Sequence, residues 1–296
     1  MSKNNKSFFV KLIGFIIAIF IGLFLGTIAL IGSGLLGGME LEYISDIMNQ
    51  MSNLSLRPYL KAGIGLNHFF TFTFSALLFA YWLNGDKWKD YFQLTPIKID
   101  VALKYLLLLL FAYPAIISSA MLLEGLDLPE WANNMDTQSM ETLQQVLAMD
   151  GIGDLFVNIL IIAVLPAIGE ELLFRGVIQN ELVKKITNPH VAIGITAFIF
   201  SAIHLQVLGF IPKFILGLIL GYSYYWTKSI WYPILLHFFN NGLQTVLLYF
   251  SGDQLDLESA DLNNPNYLHI MFGIIISILM CHLVIKNIPK EKNTKA

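Results

Sequence analysis

The sequence predicts an all-α protein, a polytopic membrane helix bundle of about eight transmembrane helices with both termini in the cytoplasm. Two observations carry this prediction: the composition is too apolar for a soluble domain, and the apolar residues fall in long separate runs. Apolar residues make up 56% of the chain and charged residues 13%, compared with roughly 25% charged residues in soluble domains. The mean hydropathy is +0.64. The 296 residues suffice for about eight spans of about 20 residues each, and we expect one membrane domain over residues 1–296.

Separate apolar runs define the predicted helices. The first run is preceded by Lys3 and Lys6, as in a signal peptide. It is longer than the apolar region of a signal peptide and lacks a clear small-x-small cleavage site, so we predict a retained helix. The fifth and sixth runs are short and closely joined. In chain order, the runs cover residues 8–35, 62–83, 101–123, 153–184, 190–208, 210–227, 229–250 and 267–286.

Loop charges predict the orientation of the bundle. The loops at 124–152 and 251–266 contain acidic residues but no lysine or arginine, and lysines gather at the opposite helix ends. Because lysine-rich and arginine-rich loops stay in the cytoplasm, we expect the acidic loops outside and both termini inside. The lysines that support this orientation are Lys3, Lys6, Lys11, Lys87, Lys89, Lys98, Lys184, Lys185, Lys228, Lys286, Lys290, Lys292 and Lys295.

Charge and cysteine content narrow the classes of partner. The net charge is −3 and the pI is about 6.1, with no basic stripe that could neutralise phosphates, so nucleic acid is not an expected partner. The lipid bilayer is an expected partner. Cys281 is the only cysteine and lies in the last apolar run. It can form no disulfide within the chain, and we interpret it as a packed apolar residue.

Polar and ionisable residues interrupt three of the apolar runs. Glu170 lies beside a second glutamate in the fourth run, His204 in the fifth, and His237 and Asn241 in the seventh. At a rise of 1.5 Å per residue, Glu170, His204 and Asn241 each lie about 20 Å from the cytoplasmic end of the helix. His237 lies about 14 Å from that end. Ionisable residues at this depth are costly and mark functional sites, so the four residues predict a polar site inside the membrane.

Spacing within the helices suggests separate roles. Glu171 and Arg175 are four residues apart and can pair on one helix face. Glu170 is turned about 100° away from that face and can address a cavity. His237 and Asn241 are also four apart and can address one substrate group. The set therefore offers a base, imidazoles that can handle protons or bind a metal, and an amide donor for an oxyanion.

Three motifs resemble those of the CAAX protease and bacteriocin-processing (CPBP, or Abi) family of intramembrane proteases. They are Glu-Glu-x-x-x-Arg at 170–175, Phe-x-x-x-His at 200–204 and His-x-x-x-Asn at 237–241. They occur in the family's order, in the fourth, fifth and seventh apolar runs. Phe-Arg-Gly at 174–176 and Ile-Trp-Tyr-Pro at 230–233 accompany them. The resemblance covers about residues 150–250, which we expect to form a catalytic core of four helices.

The resemblance implies a membrane-embedded endopeptidase. The residues that match the family's catalytic set are Glu170, His204, His237 and Asn241. Eukaryotic relatives remove the last three residues of prenylated CAAX proteins, and bacterial relatives are linked to bacteriocin maturation or self-immunity. The many Ile, Asn and Lys residues resemble a bacterial composition, so we expect the bacterial inner (cytoplasmic) membrane. The expected substrate is a membrane-associated peptide or small membrane protein that is cut near the bilayer.

Two mechanisms stay open at this point. In the first, zinc or another divalent metal is held by His204, His237 and one carboxylate, Glu170 in the favoured assignment, with water in the open position. In the second, Glu170 and His204 polarise water directly while His237 and Asn241 hold the oxyanion. The family is usually classified with the metalloproteases, which favours the metal slightly. In both mechanisms Glu171 and Arg175 are expected to act as structural support.

Two other function classes also stay open. The first is a non-enzymatic immunity or adaptor protein of the membrane. The second is a proton-coupled transporter, because intramembrane carboxylates and histidines also serve proton relays. Transporters more often show paired repeats with broken helices in both halves, and the sequence shows none. The histidines outside the motifs are interpreted as packing or helix-end residues: His68, His190, His269 and His282.

Overall fold

Helices account for all regular structure in the part of the chain that the computed structural model describes, residues 6–124, 127–251 and 267–287. No β-strand occurs within these ranges. Two long helices, Arg57–Tyr91 and Ile152–Lys185, contain π-helical or 3₁₀ turns and are each counted as one helix. The helices are α1 (Phe8–Leu36), α2 (Arg57–Tyr91), α3 (Ile99–Glu124), α4 (Glu130–Leu147), α5 (Ile152–Lys185), α6 (Pro189–Ala202), α7 (Phe210–Thr227), α8 (Trp231–Ser251) and α9 (Tyr267–Lys286).

Four of these helices, α1, α2, α3 and α5, are long and apolar enough to cross a membrane. Helix α6 and the segment Ile270–Lys286 of α9 are apolar but shorter. The all-helical fold is therefore confirmed for the described residues, and the long apolar helices support an integral membrane protein. The count of eight spans and the orientation of the termini stay predictions.

Two helix boundaries differ from the expectation. The segment 124–152, interpreted as a loop, contains the 18-residue helix α4, which has no glycine or proline and follows Pro129. It buries Ala132 and Asp136 and exposes Trp131, as an amphipathic helix does. The fifth apolar run, expected over 190–208, ends as a helix at Ala202, and the chain turns through a left-handed Leu205 before α7 begins.

The chain divides into two compact units. Unit 1 contains the described residues of 1–94, 141–178 and 237–250, and unit 2 contains those of 95–140, 179–236 and 251–296. Five of the predicted site residues belong to unit 1. His204 belongs to unit 2.

In unit 1, small residues let α1 approach α2. Ala18, Gly22 and Gly26 recur every four residues on one face of α1 and are buried. Ser75 of α2 donates a hydrogen bond from Oγ to the carbonyl of Ala18 over 3.0 Å, and the backbone of Asn67 lies against Gly26. Small residues at this spacing are a common means of close packing between membrane helices.

At the start of α2 and α5, unit 1 also holds a group of ion pairs. Arg57 contacts Asp150 at 2.6 Å and the buried Lys61 contacts Asp154 at 3.7 Å. The Lys61 ammonium also donates to the carbonyl of Ala148 over 2.8 Å. Arg57 and Lys61 therefore lie beside the acidic segment 124–152, which itself contains no lysine or arginine. Pairing with two aspartates neutralises both cations.

In unit 2, α7 packs against α6 through two glycines. A Cβ atom at Gly217 would lie 3.0 Å from the Cβ of Ala197, and one at Gly221 would lie 2.8 Å from Ile193. Gln179 donates to the carbonyl of Gly221 over 2.9 Å. The Sγ of Cys281 lies 3.7 Å from the carbonyl of Leu108, so the thiol is packed between α9 and α3.

Replacing Gly22 with alanine is expected to destabilise the protein. A Cβ atom there would lie 2.3 Å from the carbonyl oxygen of Phe70, so backbone has to move. Overpacking of this kind costs about 1–3 kcal/mol. The matched control is Gly32→Ala on the same helix, where nothing lies within 4 Å. Unfolding in mixed micelles of increasing denaturing detergent measures both variants, and equal stability of the two would contradict the close approach.

Candidate active site

Three π-helical turns shape the helices that carry the site. In α5, Ile159–Val164 and Leu172–Gln179 are π-helical and flank the regular turn Leu165–Glu171. In α2, Phe69–Phe74 is π-helical. Each inserted residue rotates the following side chains by about 100° relative to a regular helix. Turns of this type occur frequently at functional sites.

Glu171 is a fully buried carboxylate with two hydrogen-bond donors. Its Oε1 lies 2.8 Å from Nη1 of Arg175 and 2.8 Å from Nδ1 of His237. The side chains of Glu171 and Arg175 have no solvent exposure and that of His237 has 4%. Because an ionised carboxylate only accepts, Nδ1 of His237 carries a proton, and in the neutral imidazole Nε2 then carries the lone pair.

Glu170 lies between two imidazoles. Its Oε1 is 3.1 Å from Nε2 of His68, and its Oε2 is 4.0 Å from Nε2 of His237. The residue is 7% exposed. Gly169 makes room for this arrangement, since a Cβ atom there would lie 2.7 Å from Oγ1 of Thr73 and 3.3 Å from Cε1 of His68.

Asn241 is joined to the proline in α5. Pro166 has no N–H to donate to the carbonyl of Ile162, which lies four residues earlier. Nδ2 of Asn241 donates to that carbonyl over 2.9 Å. Its Oδ1 accepts from Nδ2 of Asn240 over 3.0 Å. One of the two amide hydrogens of Asn241 is thus used inside unit 1.

His204 follows the end of α6 in unit 2. Its Nδ1 lies 2.8 Å from the carbonyl of Phe200, so Nδ1 carries the proton and donates to that carbonyl. In the neutral imidazole the lone pair is then on Nε2. Phe200 is buried and meets the imidazole edge to face, with ring centroids 5.2 Å apart. The Phe-x-x-x-His motif therefore fixes both the position and the tautomer of its histidine.

Comparison with known proteins finds a family match inside the chain. Residues 152–243 match the family model described as type II CAAX prenyl endopeptidase Rce1-like. We call this matched segment the Rce1-like domain. The resemblance seen in the motifs is thus confirmed. The match includes Glu170, His204, His237 and Asn241, and excludes α1 to α4 and α9.

One curated relative adds a more distant match. The chain is 28% identical over 120 residues to the YpbD protein of Bacillus subtilis (strain 168), covering 38% of this chain and 59% of that protein. The chain thus spans about three-fifths of the relative's length. No solved structure matches the chain significantly.

Most of the residues predicted from the motifs meet within unit 1. Glu170, Glu171, Arg175 and His237 form one contiguous polar cluster, and Asn241 lies one turn after His237. Two contacts bear on the expected oxyanion site, which stays a prediction. Nδ1 of His237 contacts Glu171, and one amide hydrogen of Asn241 goes to the carbonyl of Ile162.

His68 is the residue that sequence reasoning missed. It was interpreted as a packing residue outside the motifs, yet its Nε2 contacts Glu170 from α2, outside the Rce1-like domain. The available signal was the pair of polar side chains Asn67-His68 inside an apolar run.

Two of the three predicted metal ligands, Glu170 and His237, lie close to each other. Nε2 of His237 and Oε2 of Glu170 face each other, and Nδ1 of His237 is held by Glu171, as metal-ligating histidines usually are by a carboxylate. His204, the third predicted ligand, belongs to unit 2. In the described ranges, no group of three or more His, Cys, Asp or Glu residues is placed to hold a metal ion. The metal stays a prediction.

Arg175→Ala is expected to lower stability together with any activity. Removing the guanidinium leaves Glu171 buried beside His237 alone, and breaking a buried ion pair in this way typically costs about 3–5 kcal/mol. The matched control is Lys184→Ala on the same helix, because the Lys184–Glu181 pair is half exposed. Such a pair contributes about 0–1 kcal/mol. Denaturation in detergent and membrane abundance measure both, and an Arg175→Ala variant of wild-type stability would contradict a structural role.

Proposed function

We propose that this chain is an intramembrane endopeptidase that hydrolyses a peptide bond in a membrane-associated peptide or small membrane protein. The observation that carries the proposal is the pair of acceptors formed by Oε2 of Glu170 and Nε2 of His237, 4.0 Å apart in a buried part of the Rce1-like domain. We place the attacking water between these two atoms. A water molecule about 2.8 Å from each would supply both hydrogens.

The chemistry follows from that position. With both hydrogens engaged, the water presents an oxygen lone pair, which attacks the scissile carbonyl carbon. Glu170 accepts the proton as the O–H bond breaks, and later gives it to the departing amine nitrogen as the C–N bond breaks. The products are a carboxylic acid and an amine, so the step consumes one water and needs no other reactant.

Other members of the site would support this step. Glu171, itself paired with Arg175, orients His237 and stabilises positive charge on its imidazole, as the carboxylate does in hydrolase triads. The motif of His204 implies that this residue also takes part in activating the water, and we assign the remaining amide hydrogen of Asn241 to the oxyanion. If a metal is present, Glu170, His237 and His204 would hold it, and it would lower the pKa of bound water and polarise the carbonyl.

The membrane setting defines the substrate class. The four long apolar helices favour a substrate that enters from the bilayer, and the bacterial composition favours one without a prenyl group. We place the protein in a bacterial inner membrane with both termini in the cytoplasm, on the distribution of lysines. Prenylated CAAX peptides are the alternative substrate within the same activity.

Glu170→Gln is expected to lower hydrolysis at least 100-fold, because it removes the proton acceptor and keeps the shape of the side chain. The full chain in lipid nanodiscs is incubated in H₂¹⁸O with two peptide pools, one of single-span membrane peptides and one of farnesylated CAAX peptides. Mass spectrometry detects products that carry one ¹⁸O in the new carboxyl group. Glu42→Gln, which changes an exposed glutamate, is the matched control and should keep wild-type activity.

Two outcomes would contradict this proposal. A wild type that forms no ¹⁸O-labelled product from either pool would favour a non-enzymatic membrane protein. A Glu170→Gln variant with the wild-type rate would leave hydrolysis in place and remove Glu170 from it. Preferential cleavage of the farnesylated pool would correct the substrate class alone.

Metal content is measured on the same active preparation. If a metal takes part, we expect about one equivalent of zinc or another transition metal per chain, with activity lost on prolonged chelation and restored by the metal. Less than about a tenth of an equivalent with full activity, unchanged by chelation, would exclude the metal and leave Glu170 as the general base acting alone. His282→Gln serves as the control for loss of a histidine outside the site.

A further inference from the structure

His68 contacts the carboxylate on which the proposed mechanism depends. Nε2 of His68 lies 3.1 Å from Oε1 of Glu170, and the ring stacks on Phe72 with centroids 4.4 Å apart and an angle of 21° between the planes. Phe72 in turn meets Phe174 of the Phe-Arg-Gly segment, with centroids 6.4 Å apart. The imidazole is therefore held in place on one side by aromatic packing.

The backbones of α2 and α5 depart from regular helix next to this contact. His68 immediately precedes the π-helical turn Phe69–Phe74 of α2, and Glu170 lies in the regular turn between the two π-helical turns of α5. Gly169 allows the close approach, because any larger residue would meet His68 and Thr73. Two local departures from regular helix and one glycine thus coincide where the two side chains meet.

The hydrogen bond fixes which carboxylate oxygen faces His237. An ionised Glu170 only accepts, so Nε2 of His68 carries the proton and donates to Oε1. Nδ1 of His68 then carries the lone pair, and it is buried with no hydrogen-bond partner among the described residues. With Oε1 held, Oε2 is directed towards Nε2 of His237 at 4.0 Å.

We propose that His68 is a positioning residue of the active site, which holds the carboxylate of Glu170 by a hydrogen bond from Nε2 so that its other oxygen faces His237. This inference rests on the proposed function for its catalytic consequence. It assigns part of the active site to α2, which lies outside the Rce1-like domain.

The test compares two substitutions of His68 that differ in one donor. His68→Leu removes the donor and replaces the ring by an apolar side chain of similar size. His68→Gln keeps an N–H near the position of Nε2. We expect His68→Leu to lower kcat about 10–100-fold with KM nearly unchanged, the range typical for residues that orient a catalytic group. We expect His68→Gln to recover kcat to within about threefold of the wild type, and His282→Leu, at an exposed histidine of α9, to match the wild type.

A second measurement reports the contact without any activity. The infrared difference between the wild type and Glu170→Gln isolates the carboxylate stretch of Glu170. We expect this band to shift in His68→Leu, to return in His68→Gln and to stay unchanged in His282→Leu. Both measurements use the full chain in nanodiscs, and the elution volume of each variant confirms that it is folded.

The outcomes separate this inference from the proposed function. A wild type that cleaves no peptide would contradict the proposed function, while the infrared band still decides whether His68 holds Glu170. An unshifted band in His68→Leu, or a His68→Leu variant with the wild-type kcat, would overturn the positioning role. A His68→Gln variant as slow as His68→Leu would show that the donor is not the feature that matters, and would overturn it as well.

Discussion

The rest of the site depends on the buried contacts of the Glu171 carboxylate with Arg175 and His237. A carboxylate with no solvent exposure in an apolar helix is stable only if its charge is neutralised and its oxygens are hydrogen-bonded. Arg175 supplies the opposite charge from the next turn of the same helix, and His237 supplies a second donor from α8. The same carboxylate thereby fixes the tautomer of His237. A carboxylate on one helix thus determines which nitrogen of an imidazole on another helix carries the proton.

The neighbouring Glu170 differs from Glu171 because of one step along the helix. A rotation of about 100° turns it from the Arg175 face towards α2 and α8. Its contacts are two imidazoles rather than a guanidinium, and it keeps some exposure. Adjacent glutamates in one turn are therefore separated into a carboxylate paired with a guanidinium and a carboxylate that lies between two imidazoles.

The sequence predicted the helical class, the apolar runs and the Glu171–Arg175 contact, because each depends on composition or on spacing within one helix. It did not predict the helix over Glu130–Leu147, where polar composition concealed an amphipathic pattern. It also placed His204 inside a helix that ends at Ala202. Helix ends that depend on tertiary contacts leave little signal in a single sequence.

The contact of His68 shows a second limit of sequence reasoning. Counting helical rise from Lys87 places His68 about 28 Å from the cytoplasmic end, against about 21 Å for Glu170, so the two would not share a layer. Lys87 lies after Asn84, where the regular part of α2 ends, so it is a poor reference for depth. The π-helical turns change both rise and rotation, and no residue pattern marks them.

Proline and glycine link these departures to the packing of unit 1. Pro166 removes one backbone donor from α5, and the carbonyl of Ile162 is met by the side chain of Asn241. A helix interrupted in this way is tolerated in a membrane when the freed carbonyl finds another donor, and here a neighbouring helix supplies it. The His-x-x-x-Asn motif on α8 therefore does two things four residues apart: His237 completes the carboxylate cluster, and Asn241 supports the backbone that presents it. The carbonyl of Ile162 needs a donor, and an amide donates without carrying a charge. This requirement explains why the motif combines an imidazole with an amide rather than with a second titratable group.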